Sequence, residues 1–210
     1  MFRKQHGFTL IELMVTLVVL GIVIGVALPS FKSQILSNKA GALSEDLLEA
    51  LNFARSEAIK QARPAQAGAT ARFITLCASA NGTACSSNTS GWGDGFIVLV
   101  DYATTEATSP PVASIDAARP LTILRVWSKQ DPKAAISVKH GANAGTPTSF
   151  IRYTSSGKLA ARTVPASGVR ILTKMKDKTD TDCLPNSARQ IDIGVVGMVR
   201  VAKEKPDYCW

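Results

Sequence analysis

From Phe8 to Leu28 the chain is apolar, interrupted by one carboxylate at Glu12. A run of about 20 apolar residues is long enough to cross a bilayer as a helix. A carboxylate inside such a run is costly in hydrocarbon and needs a partner. Arg3 and Lys4 precede the run, and Glu12 apart the next charge is Lys32, an arrangement that keeps the N-terminus on the cytoplasmic side. An ordinary secretory signal would place small residues at a cleavage site after the apolar core, and Ala27-Leu28-Pro29-Ser30-Phe31 is a weak example. A plain single-pass anchor leaves Gly7 and Glu12 without a purpose. Gly21 and Gly25 stand four apart, as small residues do where membrane helices approach closely, although glycine is common in membrane helices generally.

Pro29 is expected to kink the helix or to mark local melting, because it lacks an N–H and its ring crowds the preceding turn. Beyond it Leu36, Ala40, Leu43, Leu47, Ala50, Leu51, Ala54 and Ala58 recur at helical spacing, with Glu45, Asp46, Glu49 and Arg55 turned elsewhere. Arg63-Pro64 ends the pattern. Phe8 to Ala62 thus reads as one long two-part helix of about 80 Å. Its first part is apolar all round. Its second part is amphipathic, with the Leu and Ala stripe facing a core.

From Arg72 the signals change to short β runs: Arg72 to Cys77, Phe96 to Asp101, Leu121 to Trp127, Phe150 to Thr154, Val169 to Met175, and Gln190 to Lys203 in one or two pieces. Gly91-Trp92-Gly93-Asp94-Gly95 reads as a turn entering the strand at Phe96, and Thr104 to Ala118 as a loop. The expected class is α+β, a helical spine packed by its C-terminal half on an antiparallel β-sheet domain. The expected divisions are a leader over residues 1–7, an apolar helix over 8–28, an amphipathic helix over 29–63 and a β-rich globular domain over 64–210.

No constellation looks catalytic. His6 lies in the leader, and His140 sits beside Lys139 and Gly141 in what reads as an exposed turn. The glycine-rich stretch at Gly91 lacks the lysine and following helix of a phosphate loop. Neither an enzymatic activity nor a cofactor is expected. Four cysteines, Cys77, Cys85, Cys183 and Cys209, allow three pairings. Local closure favours Cys77–Cys85 and Cys183–Cys209, the second stapling the C-terminal tail to the loop near Pro185. Zinc is disfavoured by the absence of Cys-x-x-Cys spacing and the remote histidines, and an oxidising compartment suits disulfides.

Charge divides unevenly. Residues 41–118 carry 4 basic and 8 acidic side chains, whereas residues 119–210 carry 16 basic and 7 acidic. Arg170, Lys174, Lys176 and Lys178 alternate with Val169, Ile171 and Met175 and fall on one strand face. That face is either a solvated outer surface or a strip that meets DNA phosphates or an acidic neighbour.

The stretch Lys4-Gln5-His6-Gly7-Phe8-Thr9-Leu10-Ile11-Glu12-Leu13-Met14 resembles the N-terminus of type IV pilins and pseudopilins. The resemblance implies that a prepilin peptidase cuts between Gly7 and Phe8, where glycine lets the protease approach the backbone, and that the new Phe8 amine is methylated. It also implies that Glu12 meets the Phe8 ammonium of a neighbouring subunit. Burying either charge alone would cost several kcal/mol, roughly, so the pair sets register during assembly. The chain would sit in the bacterial inner membrane as a single pass, its C-terminus periplasmic, before entering a pilus fibre.

Asn52-Phe53-Ala54-Arg55-Ser56-Glu57-Ala58-Ile59-Lys60, then Phe73 to Cys77, Gly91-Trp92 before Phe96 to Asp101, Phe150 to Gly157, and Arg189 to Val201 resemble the GspH/FimT/FimU group. The FimU-type minor pilin is the nearest reading. It implies incorporation at or near the pilus tip, priming of assembly, and partners among other minor pilins and the major pilin. A GspH-type pseudopilin of type II secretion is one alternative. A DNA-binding minor pilin of natural transformation, using Arg170, Lys174, Lys176, Lys178, Arg200 and Lys203, is the other. Members that bind DNA carry a glycine-arginine-any-arginine pattern. The matching stretch here is Gly197-Met198-Val199-Arg200, in which Met198 cannot neutralise a phosphate.

Overall fold

A computed structural model describes residues 7–60, 73–101, 122–141, 145–160, 168–175 and 188–202, with side chains at 26–30, 33 and 202 left aside. One helix, α1 (Leu10–Lys60), runs for 51 residues, about 77 Å. It passes through Pro29 without interruption, so the melting expected there does not occur. A single missing N–H leaves the remaining backbone bonds of a long helix to carry it. The expected end at Arg63-Pro64 and the loop Thr104 to Ala118 lie outside the described residues.

Among the described residues nine strands follow: β1 (Phe73–Ala78), β2 (Phe96–Asp101), β3 (Thr122–Trp127), β4 (Ala134–His140), β5 (Thr146–Pro147), β6 (Phe150–Tyr153), β7 (Val169–Met175), β8 (Ala188–Ile193) and β9 (Val199–Ala202). They form two antiparallel sheets, ordered β3-β2-β1-β6 and β5-β4-β7-β8-β9. The class is α+β as expected, with the strands divided between two sheets. The β4 strand was not expected, since its two leading alanines weaken the β signal. It forms because its whole length, Ala134 to His140, pairs with β7. The turn before β2 is a 3₁₀ turn, Gly91–Asp94. It buries Trp92, whose Nε1 donates to the Thr148 carbonyl at 2.8 Å. At Gly95 (φ +129°) a Cβ would come within 2.8 Å of the Trp127 carbonyl, so the turn admits only glycine there.

The helical stripe behaves as its spacing predicts. Ala40, Leu43, Leu47, Ala50, Leu51, Ala54 and Ala58 are buried in one core, and Leu36 packs at its margin. That core takes Ile74, Leu76, Phe96, Val98 and Ile151 from the first sheet and Ile136, Val138, Ile171 and Ile191 from the second. The burial pattern of β7 alternates strictly, as a half-buried strand requires. By contrast, β1, β2 and β6 are buried along their whole length. On the face of the first sheet turned away from α1, Arg152 Nε donates to Asp101 Oδ2 at 2.7 Å, and Thr75 Oγ1 donates to the same oxygen at 3.2 Å. The Arg152 guanidinium lies over the rings of Phe150 and Phe73, at 5.0 and 5.7 Å. Both charges are almost fully buried.

His140 is not in an exposed turn. It closes β4, opposite Thr146 and Val169, and its Nδ1 is buried without a partner among the described residues. Burial holds its pKa below the ordinary 6.5. Tyr153 is also fully buried, its hydroxyl unpartnered among the described residues, and burial pushes its pKa up.

Two expectations follow. Asp101→Ala removes the buried carboxylate that faces Arg152 and should cost about 3–5 kcal/mol in chemical denaturation, whereas replacing both residues by leucine should recover most of that loss. For His140 the unfolded chain takes up a proton at higher pH than the folded one. Its contribution to stability is therefore intact above about pH 6.5 and declines as pH falls below it. The thermal midpoint should drop further between pH 7.5 and 5.5 in the wild type than in His140→Gln.

Candidate functional site

Gly7, Phe8 and Thr9 precede the first helical residue, and Phe8 is 85% exposed. Thr9 is the N-cap of α1 and Glu12 the third residue of its first turn. The Thr9 N–H donates to Glu12 Oε2 at 3.0 Å, and the Thr9 hydroxyl donates to the same oxygen at 3.1 Å. In return the Glu12 N–H donates to Thr9 Oγ1 at 3.3 Å. This is a reciprocal capping box, which satisfies two backbone donors that the first turn leaves without helical partners. The Thr-x-x-Glu spacing is legible in the sequence, although only an intermolecular role was expected of Glu12 and none of Thr9.

Above the box the helix exposes apolar side chains on every side, from Leu10 at 74% to Ile24 at 46%. A helix that is apolar all round needs an apolar surrounding. Among the described residues no helix is long and apolar enough to cross a membrane. The apolar stretch with described side chains, Leu10–Gly25, falls short of the about 20 residues that a span takes.

The basic strip is only partly as expected. Arg170 and Lys174 lie on the outer face of β7 with Leu172 between them. Lys176, Lys178 and Lys203 lie outside the described residues. Strand register sets Lys139, Arg170, Asp192 and Arg200 in one row across β4, β7, β8 and β9. Arg170 Nε donates to Asp192 Oδ1 at 2.8 Å, and Gln190 Nε2 donates to its other oxygen at 2.8 Å. Asp192 therefore offsets part of the strip's charge. It is 22 residues from Arg170 in sequence, and only the register brings the two together.

Cys77 and Cys85 form a disulfide with Cα atoms 5.5 Å apart. The pair Cys183–Cys209 lies outside the described residues. Among the described residues no group of His, Cys, Asp and Glu is placed to hold a metal. The acidic stretch of α1 is crowded: burial and then the neighbouring Glu49 and Glu45 raise the pKa of Asp46. Glu49 also pairs with Arg125 of β3 at 2.6 Å.

Two family descriptions match the chain. The prokaryotic N-terminal methylation motif matches residues 2–28, and the type II transport protein GspH matches residues 43–197. No curated protein matches in sequence. Similar solved structures include the type IV minor pilin FimU of Pseudomonas aeruginosa (strain PAO1), at 19% identity and a TM-score of 0.45, covering 84% of this chain and 99% of that one. Another is the minor pseudopilin EpsH from the type II secretion system of Vibrio cholerae, at 11% identity and a TM-score of 0.41, covering 79% of this chain and 94% of that one.

Thr9→Ala removes the hydroxyl of the capping box. Amide exchange at Thr9 through Glu12 should then quicken in the detergent-solubilised full chain, while exchange in the Ala40–Ala58 segment stays unchanged.

Proposed function

We propose, from the premise that this chain belongs to the GspH family of type II transport proteins and carries the prokaryotic N-terminal methylation motif, that it is a minor pilin of a type IV pilus. It is incorporated at or near the tip, primes assembly and links tip proteins to the major pilin. The family is one of structural, non-enzymatic proteins. The observation that carries the reading is Glu12, four residues beyond Phe8 and the one carboxylate in the apolar run that opens the helix, where the large apolar side chains from Leu10 to Ile24 are exposed.

Cleavage by a prepilin peptidase between Gly7 and Phe8 frees an amine, which is methylated. The chain waits in the inner membrane as a single pass with its C-terminal domain in the periplasm. On assembly Glu12 leaves its bonds to Thr9 for the Phe8 ammonium of a neighbouring subunit. The capping box gives the carboxylate a partner in the meantime, which lowers the cost of holding a charge in an apolar helix. The same arrangement serves a pseudopilin of type II secretion, which differs in its partners.

A second reading rests on the row of Lys139, Arg170 and Arg200 on the outer sheet face, which would meet DNA phosphates. Asp192 within that row and Met198 in place of an arginine weaken it.

Glu12→Val should leave membrane insertion intact and lower recovery in sheared fibres at least ten-fold; equal recovery would sink the role given to this carboxylate. Salt-sensitive DNA binding by the full chain, abolished when Arg170, Lys174 and Arg200 are neutralised together, would instead favour the DNA reading.

A further inference from the structure

The loop that Cys77 and Cys85 close holds an Asn81–Gly82 pair, with Asn81 exposed. The turn demands glycine at the second of these positions. Gly82 has φ +71°, and a Cβ there would come within 3.1 Å of Val126 Cγ1 on β3. An asparagine before a glycine is chemically vulnerable. No side chain shields the glycine nitrogen from the preceding side-chain amide, so the two can join into a cyclic imide.

The fold occupies the groups that this reaction uses. Asn81 Oδ1 accepts from the Thr83 N–H at 3.0 Å and from the Ala84 N–H at 3.1 Å, a local bonding pattern that asparagine favours in turns. The Gly82 N–H donates to Ser79 Oγ at 3.0 Å. That oxygen is a neutral acceptor, so it holds the proton without removing it. Ser79 Oγ also lies 3.3 Å from Asn81 Oδ1 and donates to the Ala84 carbonyl at 2.7 Å. Attack would turn Asn81 Cγ onto the Gly82 nitrogen, which breaks both Oδ1 bonds and frees the Gly82 N–H from Ser79.

The ends of the loop are fixed in turn. Ser79 is 2% exposed, and its N–H donates to the Gly95 carbonyl at 2.9 Å. The Ser86 N–H donates to the Ala78 carbonyl at 2.7 Å. Cys77 is fully buried beside Ile97, Leu99 and Phe150, and its disulfide brings Cys85 against the same cluster. With the bridge intact the loop has few open conformations to visit.

We propose that Asn81 is a deamidation site that the Cys77–Cys85 loop keeps closed, and that loss of the disulfide opens it. The inference concerns the globular domain alone and goes beyond the filament reading. The Gly82 nitrogen attacks Asn81 Cγ and forms the new N–C bond. The bond from Cγ to Nδ2 breaks, and Nδ2 leaves as ammonia with the proton lost from Gly82. Water then opens the cyclic imide at either carbonyl, and no oxidant or reductant enters. One opening gives aspartate, whose carboxylate suits the same Thr83 and Ala84 N–H groups. The other gives isoaspartate, which adds a methylene to the main chain of a loop whose ends the disulfide holds 5.5 Å apart, Cα to Cα. The rate follows how often the loop opens.

The test incubates the detergent-solubilised full chain in mildly alkaline buffer and follows the Asn81 peptide by chromatography and mass spectrometry, resolving asparagine, aspartate and isoaspartate. Conversion at Asn81 should be at least ten-fold faster in the double variant Cys77→Ser, Cys85→Ser than in the oxidised wild type. Ser79→Ala, which keeps the disulfide and removes the hydroxyl, should fall between them. Asn88, followed by threonine, should stay unchanged in all three. If the double variant no longer unfolds cooperatively, the comparison of Ser79→Ala with the wild type decides. Conversion in the oxidised wild type as fast as in a linear peptide of residues 78–86 overturns the proposal. So does a rate in Ser79→Ala no higher than in the wild type.

Discussion

The burial of one helical stripe holds this molecule together. Ala40, Leu43, Leu47, Ala50, Leu51, Ala54 and Ala58 form a single face of α1, and the inner faces of both sheets meet on it. Among the described strands none pairs one sheet with the other. The helix is therefore the element that both sheets share. The alternation of small and large side chains matters. Alanines let the strands come close, while each leucine contributes about 1.5–3 kcal/mol of apolar burial. Polar contacts then set the alignment of helix and sheets. Arg189 Nη2 reaches Ser37 Oγ at 3.3 Å, Lys39 meets Asp131 at 2.7 Å, Arg125 meets Glu49, and Arg55 holds the β8–β9 hairpin. Contacts from Ser37 to Arg55 lay the strand β8 along the helix.

These charges do unequal work. Lys39–Asp131 and Arg125–Glu49 are open to solvent, so each contributes at most about 1 kcal/mol; the lysine lowers the pKa of Asp131 chiefly through their hydrogen bond. Arg125 also stacks, with the guanidinium 4.7 Å from the Trp127 ring and 5.7 Å from that of Phe53, a contact of similar size at an exposed site. The Arg152–Asp101 pair belongs to another regime. Both groups are out of water, and their solvation is replaced by each other, Thr75 and two aromatic faces. Such a pair is a costly way to fill a core, but it tolerates only the register that aligns its members. It thereby ties β2 to β6 across β1.

Much of the fold was legible. The Leu and Ala spacing identified the buried helix face, and the alternation of Val169, Ile171 and Met175 with Arg170 and Lys174 identified the inner face of β7. The β2 run was read to its ends because Phe96 to Val100 is a continuous run of large apolar residues bounded by Gly95. What escaped was whatever depends on a distant partner. The β4 strand has weak local propensity and exists through its pairing with β7. His140 looked solvated beside a lysine and a glycine, yet the sheet half-buries it. At the candidate site Gly7, Phe8 and Glu12 stand out in the local sequence, whereas the capping bonds of Thr9 to Glu12 come from the structure. The partial neutralisation of Arg170 by Asp192 was not, because cross-strand register is invisible to a strand read alone.

The sequence by itself determined the features that arise from neighbours along the chain: the apolar run with its one carboxylate, the amphipathic continuation of the helix, the alternating strands and the short loop closed by Cys77 and Cys85. Helical and strand periodicities are local, so residues a few positions apart suffice to declare them. Only the tertiary structure decided that the strands divide into two sheets on one helix, that Arg152 and Asp101 share a buried site, and that Arg55 fixes the hairpin between β8 and β9. Each of these joins residues dozens of positions apart, and their meeting is set by which surfaces can be buried together, a property of the packed whole.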